Sequence, residues 1–190
     1  MTRFFSLFSD SAKELKSIRT ITTTGMLMAL AVVIRTLAIQ ITPDIRISFA
    51  FLATAIIAML YGPVVGGLAN GAVDVIGFML DNRTGNGFNP ALTLVAALAG
   101  VIYGVVLYKR ELKVYMIVIA RTLVVLICNI TLNSLVVYFT YVNAGFWAWI
   151  TPRIIKNITQ LPIDIIMLCI LLPIVVLAYK RVFGARAHSK

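Results

Sequence analysis

ISFAFLATAIIAMLYGPVVGGLANGAVDVIGFML, residues 47–80, is thirty-four residues long and holds one charged group, Asp74. As a single helix it would measure about 50 Å, far more than the roughly 30 Å of a bilayer's hydrocarbon core. Gly62-Pro63 interrupts it near the middle. Proline ends or kinks a helix, and a Gly-Pro pair marks a tight turn, so the stretch is expected to form two short antiparallel spans, about 47–61 and 64–80.

The rest of the chain repeats the theme. Of 190 residues, 61% are hydrophobic and only 13% charged, too little polar surface to cover a soluble globule. Further spans are expected at about 20–40, 90–108, 114–142 and 151–179, the fourth opening with Pro90 and the sixth kinked at Pro162 and Pro173. The expected fold is all-α and integral to the membrane: a six-transmembrane-helix bundle over residues 20–183. It follows a leader at 1–19 and precedes a basic tail at 184–190. Phe4, Phe5 and Phe8 ahead of Lys13, Lys16 and Arg19 give the leader an amphipathic character suited to a membrane surface. Six crossings leave both termini on one side. That side collects eleven basic residues, among them Lys109, Arg110 and Lys113, against four on the other, which makes it cytoplasmic. The net charge of +10 is thus largely a topology signal and no sign of nucleic-acid binding.

Several classes of function are excluded. There is no phosphate-binding glycine loop with its lysine, no His-Glu metal pair, no nucleophilic serine elbow and no Cys/His pair. Cys128 and Cys169 lie in apolar runs as inert thiols, and the lone His188 stands in the tail. No catalytic residue, metal or cofactor is expected.

The outer connections, 41–46, 81–89 and 143–157, are richer in polar and aromatic residues than the inner ones, which points to a site open to the outside. Arg46, Arg83, Arg153 and Lys156 run against the positive-inside trend and suit an acidic small molecule. Phe88, Trp147 and Trp149 offer flat faces for a heterocycle, or equally an interfacial aromatic belt. Asn129 and Asn133 lie one turn apart on the fifth span and need partners in lipid, either another helix or a ligand. Asp74 and Asp164 within the spans balance Arg35 and Arg121, which favours structural pairing without saying which arginine meets which aspartate. Small residues recur at four-residue spacing, as in Gly25 and Ala29, and make flat grooves for close helix packing.

Three runs in order, Arg46–Leu52, Tyr61–Gly67 and Phe88–Leu94 leading to Gly100–Gly104, resemble the folate-family S components of energy-coupling factor (ECF) transporters. So do Arg153–Asn157 and Leu161–Asp164 near the C-terminus. The likeness covers about residues 20–180. It implies a subunit that captures a vitamin, most simply folate or a reduced folate, from outside a bacterial cell membrane. Delivery inward then depends on a transmembrane coupling subunit and two ATPase subunits. Gly25-Met26-Leu27-Met28-Ala29 is similar to the family's small-xxx-small contact with the coupling subunit. The outer loops and the starts of the fourth and sixth helices are implied as the pocket, with Arg46, Phe49, Arg83, Phe88, Asn89, Asn133, Trp147, Arg153 and Asn157 as candidate ligand contacts. Where the family reads Phe-Pro-Gly-Phe-Thr-Leu, this chain has Phe88-Asn89-Pro90-Ala91-Leu92-Thr93-Leu94, one residue longer and short of an aromatic. Pantothenate or a hydroxymethylpyrimidine are the neighbouring substrates, and a stand-alone secondary transporter is the rival class, although no inverted repeat is visible.

Overall fold

The computed structural model describes residues 2–42, 45–80, 87–142 and 145–183; the side chains of residues 2–5, 39–47, 180, 182 and 183 lie outside that description. Its helices are α1 (Thr2–Glu14), α2 (Ile18–Thr36), α3 (Phe51–Leu80), α4 (Pro90–Leu107), α5 (Val114–Leu123), α6 (Ser134–Tyr141) and α7 (Phe146–Phe183). A π-helical segment, Val124–Asn133, joins α5 to α6 as one continuous span. Between α2 and α3, β1 (Ile39–Thr42) and β2 (Ile45–Ile47) form a small antiparallel ribbon.

The deciding stretch folds back on itself. Gly62 takes φ +90° and ψ −174°, outside helical space and in a region an L side chain rarely adopts. Gly66 packs directly against Ala58, and Ala53 and Val73 share one buried cluster. Along an unbroken helix these pairs would stand about 12 and 30 Å apart, so the chain reverses at Gly62-Pro63. With residues 51–61 and 63–80 counted separately, six helical segments form the bundle, as the turn signal predicts.

Backbone-to-backbone contact sets how α4 lies on the second half of α3. A Cβ on Gly100 would collide with the Gly66 carbonyl, and one on Gly104 with Pro63. Helices in lipid gain no hydrophobic drive from one another, so this closeness supplies the attraction. The Asn70 amide adds a bond from Nδ2 to the Ala96 carbonyl at 2.6 Å. The central core joins Leu52, Ala55 and Met59 of α3, Tyr103 and Leu107 of α4, Ile117 and Val124 of the fifth span, and Leu168 and Leu172 of α7.

Four features differ from expectation. The first span ends at Thr36, and the residues beyond it enter the ribbon. The leader docks on the bundle rather than only on lipid: Ser11 is fully buried, donates to the Tyr61 carbonyl (2.7 Å) and accepts from Val64 N (3.0 Å) and Val65 N (3.3 Å). In the fifth span hydroxyls bond five residues back, Thr131 to the Leu126 carbonyl and Ser134 to that of Asn129. Finally, α7 begins at Phe146, so residues 146–150, expected before the start of the sixth span, are helix. Polar side chains along the first turns of α7 bend back onto carbonyls one turn earlier, Thr151 onto Trp147, Asn157 onto Arg153 and Thr159 onto Ile155, which lets the helix absorb them.

Candidate functional site

The extra turns of α7 place the site. Trp149, Arg153, Lys156, Gln160 and Asp164 recur at steps of four, three, four and four, which puts them on one helical face over about 22 Å of axis. The opposite side carries Ile155, Ile158, Ile166 and Ile170, each more than half exposed, as a helix facing lipid requires. The polar face therefore points inward.

At its deep end Arg121 of α5 donates from Nε (3.1 Å) and Nη2 (2.5 Å) to Asp164 Oδ2, and from Nη1 to the Tyr103 hydroxyl (2.9 Å). The two charged side chains are 6% and 1% exposed. A buried ion pair holds only when its remaining hydrogen-bonding positions are filled, and here they are. Gln160 Nε2 donates to the other oxygen, Asp164 Oδ1, at 3.2 Å, and the Phe51 ring lies 3.9 Å from the Arg121 guanidinium carbon.

Nearer the start of α7, the Arg153 guanidinium stacks 4.1 Å over the Trp149 ring and reaches Asn133 Oδ1 at 3.5 Å. Tyr138 packs on Trp149 and Phe146, with centroids 5.8 and 5.1 Å away. Lys156, half-buried, is within electrostatic reach of Asp164, Arg121 and Arg153. Among the described residues this face thus gathers the cations Arg121, Arg153 and Lys156 and the carboxylate of Asp164. Among the buried polar atoms on it, Gln160 Oε1 and Trp149 Nε1 have no hydrogen-bond partner among the described residues. Cations, aromatic faces and an orphaned donor and acceptor thus share one side of α7, the mixture of groups that suits an acidic, flat and polar-edged molecule.

The second intramembrane pair is a brace. Arg35 Nη1 meets Asp74 Oδ1 at 2.7 Å, Thr93 donates to Asp74 Oδ2 at 2.9 Å, and the arginine lies across Gly77, where a Cβ would sit 2.6 Å from its Cδ. This ties α2, α3 and α4 together and resolves the pairing of the four charges.

Of the residues read from sequence, Asn133 and Arg153 meet directly, and Asn157 lies one turn below on α7 with its amide on the Arg153 carbonyl. Phe49 is half-buried with its ring 6.5 Å from Phe51. Asn89 is spent on structure: Oδ1 caps α4 through Ala91 N at 3.0 Å and Nδ2 donates to Thr140 Oγ1. Phe88 packs edge-on against Phe78, and Trp147, 77% exposed, packs on Phe146 at the aromatic rim. Arg46 pairs across the ribbon with Gln40, its side chain outside the description, and Arg83 lies outside the described residues. Gly25 and Ala29 are exposed on α2, with nothing within 4 Å of a Cβ built on Gly25. The sequence reading missed Gln160 and Phe51. Gln160 continues the helical spacing of Arg153 and Lys156 inside the expected sixth span, so the signal that finds it is present in the sequence.

Residues 19–172 match the model of the family described as "ECF transporter, substrate-specific component". The chain is 36% identical over 146 residues to the folate transporter FolT of Leuconostoc mesenteroides, covering 74% of this chain and 77% of that protein. It is 31% identical over 134 residues to FolT of Clostridium novyi, covering 70% and 76%. Among solved structures, a crystal structure of FolT bound with folic acid superposes with a TM-score of 0.71 at 36% identity, covering 79% of this chain and 89% of that one.

Proposed function

Since the chain belongs to the family of ECF transporter substrate-specific components, we propose that it captures folate or a reduced folate at the outer face of a bacterial cell membrane. Delivery inward relies on a transmembrane coupling subunit and two ATPase subunits, which hydrolyse ATP; this chain carries no catalytic step. The observation that carries the substrate is the likeness, over most of both chains, to a transporter crystallised with folic acid.

The inward face of α7 supports that reading. Folate joins a flat pterin to a glutamate with two carboxylates, and the face offers aromatic rings beside the cations Arg153 and Lys156. In this arrangement Arg153 and Lys156 receive the carboxylates, while the pterin passes between aromatic side chains toward the Arg121–Asp164 floor. Phe49, Asn133 and Asn157 line the approach. Pantothenate has one carboxylate and no ring, and a hydroxymethylpyrimidine has a ring and no carboxylate, so each uses only half of these features. Both termini lie in the cytoplasm, on the side of the Gly62-Pro63 turn and the Lys109–Lys113 connector, where basic residues gather.

Calorimetric titration of the detergent-purified chain tests the reading. Folate is expected to bind and pantothenate not to. Arg153→Ala is expected to weaken folate by about tenfold or more, the usual scale for losing a charge-assisted bond in a desolvated site. Pantothenate binding in place of folate would overturn the substrate.

A further inference from the structure

Gln160 is 9% exposed, and its amide is held from one side only. Arg121 grips Asp164 Oδ2, which leaves Oδ1 free to accept from Gln160 Nε2 at 3.2 Å. A carboxylate oxygen accepts and does not donate, so the bond fixes which end of the amide is nitrogen. Gln160 Oε1 is thereby presented on the polar face of α7 with no donor among the described residues to meet it. A buried acceptor left without a donor costs about 1–3 kcal/mol, so such an atom in a native fold calls for a reason. The floor around it is electrically balanced, Arg121 against Asp164, whereas the cations Lys156 and Arg153 stand one and two turns closer to the outer end. The deep position thus calls for an uncharged N–H donor, and the outer one for anions.

We propose that Gln160 is a specificity-determining residue whose side-chain carbonyl oxygen accepts a hydrogen bond from the exocyclic amino group on the pterin edge of the substrate, held in place by the Arg121–Asp164 pair. The assignment rests on the folate reading above. A site built around such an acceptor rejects a ligand that lacks the donor, because the oxygen stays buried and unpaired in the complex. Asp164 and Arg121 are positioning residues here: they aim the amide and do not touch the ligand.

The test is a cycle of four titrations on the full-length purified chain, wild type and Gln160→Met, each with folate and with a folate analogue carrying a methyl group in place of the pterin's amino group. Wild type is expected to bind the analogue at least tenfold more weakly than folate. Gln160→Met is expected to weaken folate by a similar factor and to bind the analogue within about threefold of the wild-type value, since the bond is already missing. If the analogue loses a further tenfold on Gln160→Met, the residue serves structure rather than recognition, and the inference falls. Equal binding of folate and analogue by wild type also overturns it, and that arm decides the matter even if the variant does not fold. Failure of wild type to bind folate at all would instead sink the functional reading.

Discussion

Arg121 and Asp164 illustrate what a single buried residue does in this bundle. Each alone would be a bare charge in a low-dielectric interior; together, with Tyr103 and Gln160 filling their remaining valences, they are tolerated. Arg121→Met is expected to destabilise the detergent-solubilised protein by about 3–5 kcal/mol, because it strands Asp164. The double variant Arg121→Met/Asp164→Leu should recover most of that loss. Thermal unfolding of the ligand-free protein reads both, and a single variant as stable as wild type would mean that water already reaches the pair. Sequence alone shows four charges in the spans and their balance. It does not pair them, since partner choice depends on the rotation of each helix about its axis, which packing sets.

Among the elements, the helical hairpin of α3 is the one most plainly written in the chain: an over-long apolar run with Gly-Pro inside it has little choice. What was not written there is that α1 closes the turn. Ser11 satisfies three backbone groups beside Gly62, and a Cβ on Gly62 would lie 2.7 Å from that of Ser11. Gly62→Ala therefore meets a left-handed backbone and a collision together. It is expected to cost about 2 kcal/mol or more, with Ser11→Ala costing about 1–3 kcal/mol through the unpaired turn. Gly25→Ala, where nothing stands within 4 Å, should leave the unfolding midpoint unchanged or raise it slightly. Equal effects at Gly62 and Gly25 would contradict the tight turn. The start of α7 and the π-helical segment escaped the sequence reading for a common reason. Each depends on side chains re-satisfying backbone groups, as Thr151, Thr131 and Ser134 do, and such local bonds leave no trace in hydrophobic periodicity.

At the scale of the whole molecule the bundle is unevenly buried. The α3 hairpin hides 78% of its apolar window inside the chain, whereas α2 hides 22%. Lipid accepts an exposed apolar helix without penalty, so exposure alone predicts nothing; the shape of the exposed face does. On α2, Gly25 and Ala29 make a shallow groove beside the exposed Ile21, Met26 and Leu30, and no described residue stands within 4 Å of a Cβ built on Gly25. Small residues let a second helix approach closely enough for backbone contact, the kind of contact by which Gly66 and Gly100 join α3 to α4 inside this bundle. A coupling subunit docking there would read that groove and not the polar face of α7. Binding and transport are then separable by mutation. Gly25→Leu/Ala29→Leu is expected to abolish folate uptake by the reconstituted importer while the purified chain binds folate within about twofold of wild type. Loss of binding along with uptake would show that the two residues hold this chain's own fold. Uptake at the wild-type rate would place the coupling subunit on another face.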